Sequence, residues 1–314
     1  MDYRRLGRTD LRVSALGLGT WQFGGEWGKQ FEQAEVDQIV RRAHELGVNL
    51  IDTAECYGDH VAESLIGAAI AHDRADWIVA TKFGHRFHAD RLSGGGWSPG
   101  SVRSDHWSPP EVLDQLHRSL RALRTDYVDL YLLHSGPDDV ADNDELWAAL
   151  GDQVKQGTIR FLGIALGGGD DPHQTARATR VGAGVVELTY NRLNRDAEPA
   201  VFASCREQDL GVLAREPLAN GYLSGRYRPD AGITDATDWR SQMDADEVRR
   251  RLDAVERIRA TEVPAGTPMA AWALAWCLRN PVVSAVITGT RSVEQLEASA
   301  TAVDPAADRP GGSG

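Results

Sequence analysis

Short apolar runs of strand length alternate along this chain with longer segments whose apolar residues recur at helical spacing. The runs fall at residues 15–19, 48–52, 77–82, 128–134, 160–164, 185–188, 211–214 and 284–288. Between them, residues 35–46 place Val36, Ile39, Val40, Ala43 and Leu46 on one helical face, and Val112, Leu113, Leu116, Leu120 and Leu123 form a second such stripe. Strand, helix, strand in repetition is the pattern of parallel strands joined by helical crossovers. Eight such units without a linker or a shift in composition predict an α/β protein with a closed (β/α)8 TIM barrel, in preference to an open doubly wound sheet. Ahead of the first barrel strand, residues 3–6 and Val13 flank the turn-like Gly7-Arg8-Thr9-Asp10. That predicts an N-terminal β-hairpin closing the barrel floor. Two long connections, 84–108 and 216–243, are expected to be active-site loops, the second leading into an extra helix over 244–261. The reading is one barrel domain over residues 1–303 and a disordered tail over 304–314, which is Pro, Gly, Ala and Asp without apolar period.

Composition narrows the function. A net charge of -12 offers no basic footprint for nucleic acid or an anionic membrane, so neither is expected as a partner. Cys56, Cys205 and Cys277 are an odd, scattered set, which argues against a disulfide framework and for a reducing, cytoplasmic setting. The N-terminal residues lack the apolar core of a signal peptide, and no run approaches the ~18 apolar residues of a membrane span.

In a barrel the C-terminal ends of the strands meet on one face, so residues there become neighbours. The second strand ends in Asp52, followed by Thr53-Ala54-Glu55-Cys56-Tyr57-Gly58; the third ends in Lys82 and the fourth in His134. A phenol with an ordinary pKa of ~10 is a poor acid at neutral pH unless a cation stabilises its phenolate. Lys82 is the candidate cation, Asp52 its counter-ion, and His134 the group that orients a carbonyl oxygen. Taken singly, a strand-end Asp caps turns and a strand-end Lys reaches to solvent in many proteins. Spacing alone does not name the reaction: Lys82 could also form a Schiff base, although Asp52 beside it opposes the lowered pKa that such chemistry needs.

Asp52-Thr53-Ala54-Glu55-Cys56-Tyr57-Gly58, Thr81-Lys82-Phe83 and Asp129-Leu130-Tyr131-Leu132-Leu133-His134 together resemble the aldo-keto reductase family, as do residues 16–21 and 289–292. The resemblance runs from about Tyr3 to Ala300. It implies a barrel enzyme that moves hydride from NADPH to an aldehyde or ketone, with Tyr57 as general acid supported by Asp52, Lys82 and His134. It further implies cofactor contacts from Thr20, Trp21, Asp52, Gly289, Arg291, Gln295 and Ser299, with Leu218, Ser224 and Arg226 in the stretch that folds over the pyrophosphate. Arg291 stands where the family reads the 2′-phosphate, which favours NADPH over NADH. Ser292 to Gln295 has capping-box spacing, and the free amides of that helix start can hold phosphate.

Three positions depart from the family pattern. Ala165-Leu166 replaces the usual Ser-Asn, Glu187 replaces the carboxamide-binding Gln, and Arg215 replaces the ring-stacking Tyr. Glu187 and Arg215 end adjacent strands and are expected to pair, the carboxylate accepting the carboxamide N–H and the guanidinium packing on the ring. Trp21, Phe83 and Trp107, with Tyr57 and His134, are the expected substrate-pocket walls. No Rossmann fingerprint, Walker A motif, H-E-x-x-H signature or paired C-x-x-C is present, and His44, His60, His72 and His117 read as helix-surface residues, so no metal is expected. A different class of function, a nicotinamide-binding redox-sensing or regulatory module with little turnover, is the alternative that the altered pocket suggests.

Overall fold

A computed structural model describes residues 1–25, 27–88, 102–227 and 243–304. Among these, strands β1 (Tyr3–Arg5) and β2 (Arg12–Ser14) pair as an antiparallel hairpin. The barrel strands are β3 (Leu16–Gly19), β4 (Leu50–Asp52), β5 (Ile78–Phe83), β8 (Val128–His134), β9 (Ile159–Ala165), β10 (Ala183–Thr189), β11 (Gly211–Arg215) and β12 (Ala285–Gly289). They close in that order, each parallel to its neighbours, with β12 pairing back onto β3. The eight expected strands are therefore all present, with ends displaced by a few residues. The connection after β5 is more ordered than a loop: β6 (His85–His88) and β7 (Val102–Asp105) form an antiparallel hairpin beside the barrel mouth. The extra helix is there as Ala245–Thr261, while the tail from residue 305 lies outside the described residues.

The period of two along each strand sorts side chains between two cores. On β5, Ile78 and Ala80 point into the barrel, whereas Val79 and Phe83 point out to the helix layer. The outer layer is sealed by the predicted stripes: the helix Gln33–Glu45 buries Val36, Ile39, Val40 and Ala43. On the helix Pro109–Leu123, Leu113 is only half-buried, and Gln115 is buried instead because its side chain accepts from the Gly84 N–H at 2.8 Å. The floor is filled from the hairpin, whose Leu6, Leu11 and Val13 pack beneath Leu50, Leu130 and Leu213 inside the barrel. Burying each contributes about 1.5–3 kcal/mol. Gly7 is obligatory there: its φ is +52°, and a Cβ would lie 2.0 Å from the Gly211 nitrogen. With that end of the barrel interior plugged by apolar residues, the interior is left open to polar side chains at the strand C-terminal end. No helix among the described residues is long and apolar enough to cross a membrane.

Candidate active site

Register brings the reactive groups to one level. Asp52 pairs with Gly19 and Ala80, Lys82 with Leu132, and His134 with Ala165, all at or next to strand C-termini. Lys82 is fully buried, and its Nζ donates to Asp52 Oδ1 at 2.5 Å, to the Thr53 carbonyl at 2.9 Å and to Tyr57 Oη at 3.4 Å. A second carboxylate, Glu187 Oε2, stands 3.7 Å from the same nitrogen. The His134 ring meets the Tyr57 ring edge-on at 6.2 Å, and Trp21 stacks on the other side of Tyr57 at 6.3 Å. Tyr57 is thus held between a cation, an imidazole and an indole. Gly58 shapes the loop that carries it: at φ +66° it passes so close to Gly24 that a Cβ would lie 2.4 Å from that carbonyl oxygen.

Burial opposes every charge in this cluster, and the outcome depends on neighbours. It would strip the Lys82 proton, but the carboxylates of Asp52 and Glu187 outweigh it and hold the ammonium well above its usual range. Burial and then the Glu187 charge push Asp52 above the usual carboxylate range, against the pull of Lys82. Burial also raises the Tyr57 phenol, with Lys82 pulling the other way. At neutral pH the phenol therefore keeps its proton, with the Lys82 ammonium 3.4 Å from its oxygen.

Below Tyr57, Glu55 is buried with one oxygen accepting the His85 N–H at 3.0 Å and the other without a hydrogen-bond partner. Burial raises its carboxyl to about 8. The folded state therefore keeps a proton that the unfolded chain releases above its ordinary value, so the stability present below about pH 4.5 is lost as pH rises through about 8. Glu55→Gln is expected to flatten the decline in stability between about pH 5 and about pH 8 by up to ~1.4 kcal/mol per pH unit. Urea denaturation of both proteins across that range measures it; parallel curves would show that Glu55 ionises freely.

A cavity of about 990 Å³ opens over the cluster. Of the sequence-predicted residues, Thr20, Trp21, Asp52, Tyr57, His134 and Glu187 line it near the cluster. Arg215, Leu218, Ser224 and Arg226, which end or follow β11, line it too, as do Gly289, Arg291, Gln295 and Ser299, which end or follow β12. Lys82 lies beneath it. Two expected pocket walls are elsewhere. Phe83 follows the inward Lys82 on its strand, so it faces outward, 4.9 Å from Tyr131 and near Trp147 in the helix-side core. Trp107 covers Gly84 and meets the His85 ring at 5.3 Å, a layer behind His134. The expected helix-surface placement holds for His44 and His117; His72 is exposed but in the turn after the helix Val61–Ala69, and His60 is half-buried with its Nδ1 2.5 Å from buried Glu63. The capping box is half-formed: Ser292 accepts from the Gln295 N–H, but the Gln295 side chain takes the Arg291 N–H. Arg215 Nε approaches Glu187 Oε1 at 3.9 Å, and the guanidinium donates to the Leu166 and Gly167 carbonyls and to Glu216.

The sequence pattern of the Aldo/keto reductase family matches residues 15–307. The chain belongs to that family. Among its relatives, the uncharacterized oxidoreductase YrpG of Bacillus subtilis is 32% identical over 321 residues, covering 98% of this chain and 93% of that protein. A putative voltage-gated potassium channel subunit beta of Schizosaccharomyces pombe is 29% identical over 97% of this chain and 88% of its own length. The holo form of aldo-keto reductase AKR11C1 from Bacillus halodurans superposes with a TM-score of 0.78 at 30% identity, over 97% of this chain and 91% of that one.

Aldo-keto reductases use nicotinamide cofactors, and the cavity has the features of a site for one. Buried polar atoms with no hydrogen-bond partner face this region: Glu187 Oε2, Gln22 Oε1 and Thr288 Oγ1. Gly289, on the same wall, packs against the Gln22 side chain so closely that a Cβ would lie 2.1 Å from its amide nitrogen. At the rim, the start of the helix Val293–Val303 and Arg291 combine amide donors with a guanidinium, a pairing suited to phosphate. Several members of this aldo-keto reductase site carried no signal in the sequence. Cys56 Sγ lies 3.6 Å from His134 Nδ1, the His85 ring is 5.0 Å from His134, and Trp27 meets Trp21 at 5.1 Å while its carbonyl accepts from Arg291. Only the clustering of Trp21, Phe23 and Trp27 after the first strand hinted at the last of these.

Proposed function

We propose that this aldo-keto reductase is a carbonyl reductase that uses NADPH to reduce an aldehyde or ketone, and that the same residues run alcohol oxidation in reverse. The observation that carries the reading is the Lys82 ammonium, fully buried and shared by Asp52 Oδ1 at 2.5 Å and Tyr57 Oη at 3.4 Å, directly under an open cavity. When bound, the dihydronicotinamide supplies hydride to the carbonyl carbon. Tyr57 donates its proton to the carbonyl oxygen, Lys82 stabilises the phenolate left behind, and Asp52 keeps Lys82 charged. His134, across the Tyr57 ring, orients that oxygen. Trp21 provides an apolar wall that excludes water beside Tyr57. Arg291 and the adjoining helix start hold the phosphate that distinguishes NADPH from NADH, and Thr20, Gly289, Gln295, Ser299, Leu218, Ser224 and Arg226 line the same cavity.

The test is multiple turnover on a panel of aldehydes and ketones, followed at the reduced-nicotinamide absorbance band with NADPH and with NADH. Turnover with NADPH preferred supports the reading. The channel-subunit relative favours a second one, a redox-sensing module, and stoichiometric NADPH binding with no turnover across the panel would establish it in place of the first.

A further inference from the structure

The two departures at the cavity wall introduce a matched pair of charges where the family pattern has none. Arg215 ends β11 and pairs in register with Thr189, the last residue of the neighbouring β10, while Glu187 stands two residues earlier on that strand, opposite Leu213. Glu187 is buried, with Oε1 3.9 Å from Arg215 and Oε2 3.7 Å from Lys82 but without a hydrogen bond. Arg215 is held in place before any ligand arrives, by the Leu166 carbonyl at 2.8 Å, the Gly167 carbonyl at 3.2 Å and Glu216 at 2.8 Å. A guanidinium anchored this firmly cannot swing away from an approaching cation. The charges that face this end of the cavity are thus Asp52, Glu187 and Glu216 against Lys82 and Arg215.

A nicotinamide ring changes charge when it is used: it is cationic when oxidised and neutral when reduced. We propose that the Glu187–Arg215 pair reads that charge, Arg215 disfavouring the oxidised ring and Glu187 favouring it, so that together they set how strongly the protein distinguishes NADP⁺ from NADPH. This deepens the reductase reading and rests on it for the cofactor. A hydrogen bond from the carboxamide acts on both redox forms alike, and so does any loss of packing. The ratio of the two dissociation constants therefore isolates the charge effect. A neutral family-type Gln and Tyr would leave that ratio to the rest of the pocket.

The experiment measures Kd for NADP⁺ and NADPH, and again for NAD⁺ and NADH, by calorimetry on the wild type, Arg215→Gln, Glu187→Gln and the double variant. Arg215→Gln is expected to lower Kd(NADP⁺)/Kd(NADPH), and Glu187→Gln to raise it, each by about fivefold or more. That is what one unit charge does to another even at roughly 15 Å with an effective dielectric of about 20. The double variant is expected to return towards the wild-type ratio. Equal changes in both constants, or shifts of the same sign in both single variants, would overturn the proposal and reduce the pair to a structural bridge. Should Glu187→Gln fail to fold, Arg215→Gln and Arg215→Met carry the same test with the same sign. Binding of neither nucleotide pair by the wild type overturns the reductase reading as well, whereas binding with an unmoved ratio overturns this proposal alone.

Discussion

Tyr57→Phe is expected to lower kcat by about 10²-fold or more while leaving cofactor affinity and stability close to wild type. The substitution removes one oxygen. The ring keeps its place between Trp21 at 6.3 Å and His134 at 6.2 Å, so the wall it forms is preserved. Lys82 keeps its two shorter hydrogen bonds, to Asp52 and the Thr53 carbonyl, and loses only the longest. What disappears is the proton donor and the oxygen on which Lys82 can stabilise charge. Single-turnover kinetics beside equilibrium binding separate the two quantities. The competing donor is His134, whose ring faces the same space. Near-normal turnover in the variant would reject Tyr57 as the acid and move the role to the imidazole.

The clustering of Asp52, Tyr57, Lys82 and His134 is legible in the sequence because a parallel barrel collects strand C-termini at one mouth, whatever their separation along the chain. Asp52, Lys82 and His134 are strand-end residues, and Tyr57 follows closely, so topology alone made them neighbours. Phe83 shows where adjacency misled: the period of two that turns Lys82 inward must turn the next residue outward, and Phe83 lies in the helix-side core. Trp107 misled for another reason. The stretch around it carries the β6–β7 hairpin, whose polar, Gly-rich sequence has the composition of a loop, and the indole is spent covering Gly84. The 3.9 Å approach of Arg215 to Glu187 follows from adjacent strands in register, as expected. The 3.7 Å approach of Glu187 to Lys82 spans the barrel interior, and no sequence separation encodes that distance. The same is true of Cys56 beside His134.

Lys82→Met is expected to cost about 3–5 kcal/mol of stability and to abolish turnover, the larger of the two effects on the fold. Methionine fills much of the same volume, so packing changes little; the loss is the ammonium. Without it Asp52, the Thr53 carbonyl and Glu187 remain buried with no cation between them. Asp52 can escape only by taking up a proton, which fixes the sign of the pH dependence. Burial and Glu187 already hold Asp52 above the usual carboxylate range, and removing the opposing pull of Lys82 raises it further. A carboxyl whose folded value exceeds its unfolded one contributes stability that is lost as pH rises towards the folded value. The variant should therefore fall further below wild type at pH ~9 than at pH ~6, as read by urea denaturation at both. Lys82→Met with Asp52→Asn removes one buried acid with the base and should regain much of the stability while staying inactive, because no cation remains for the phenolate. Recovery of turnover in that double variant would show that Tyr57 donates its proton without help from Lys82, and the proposed chemistry would fail at its central step.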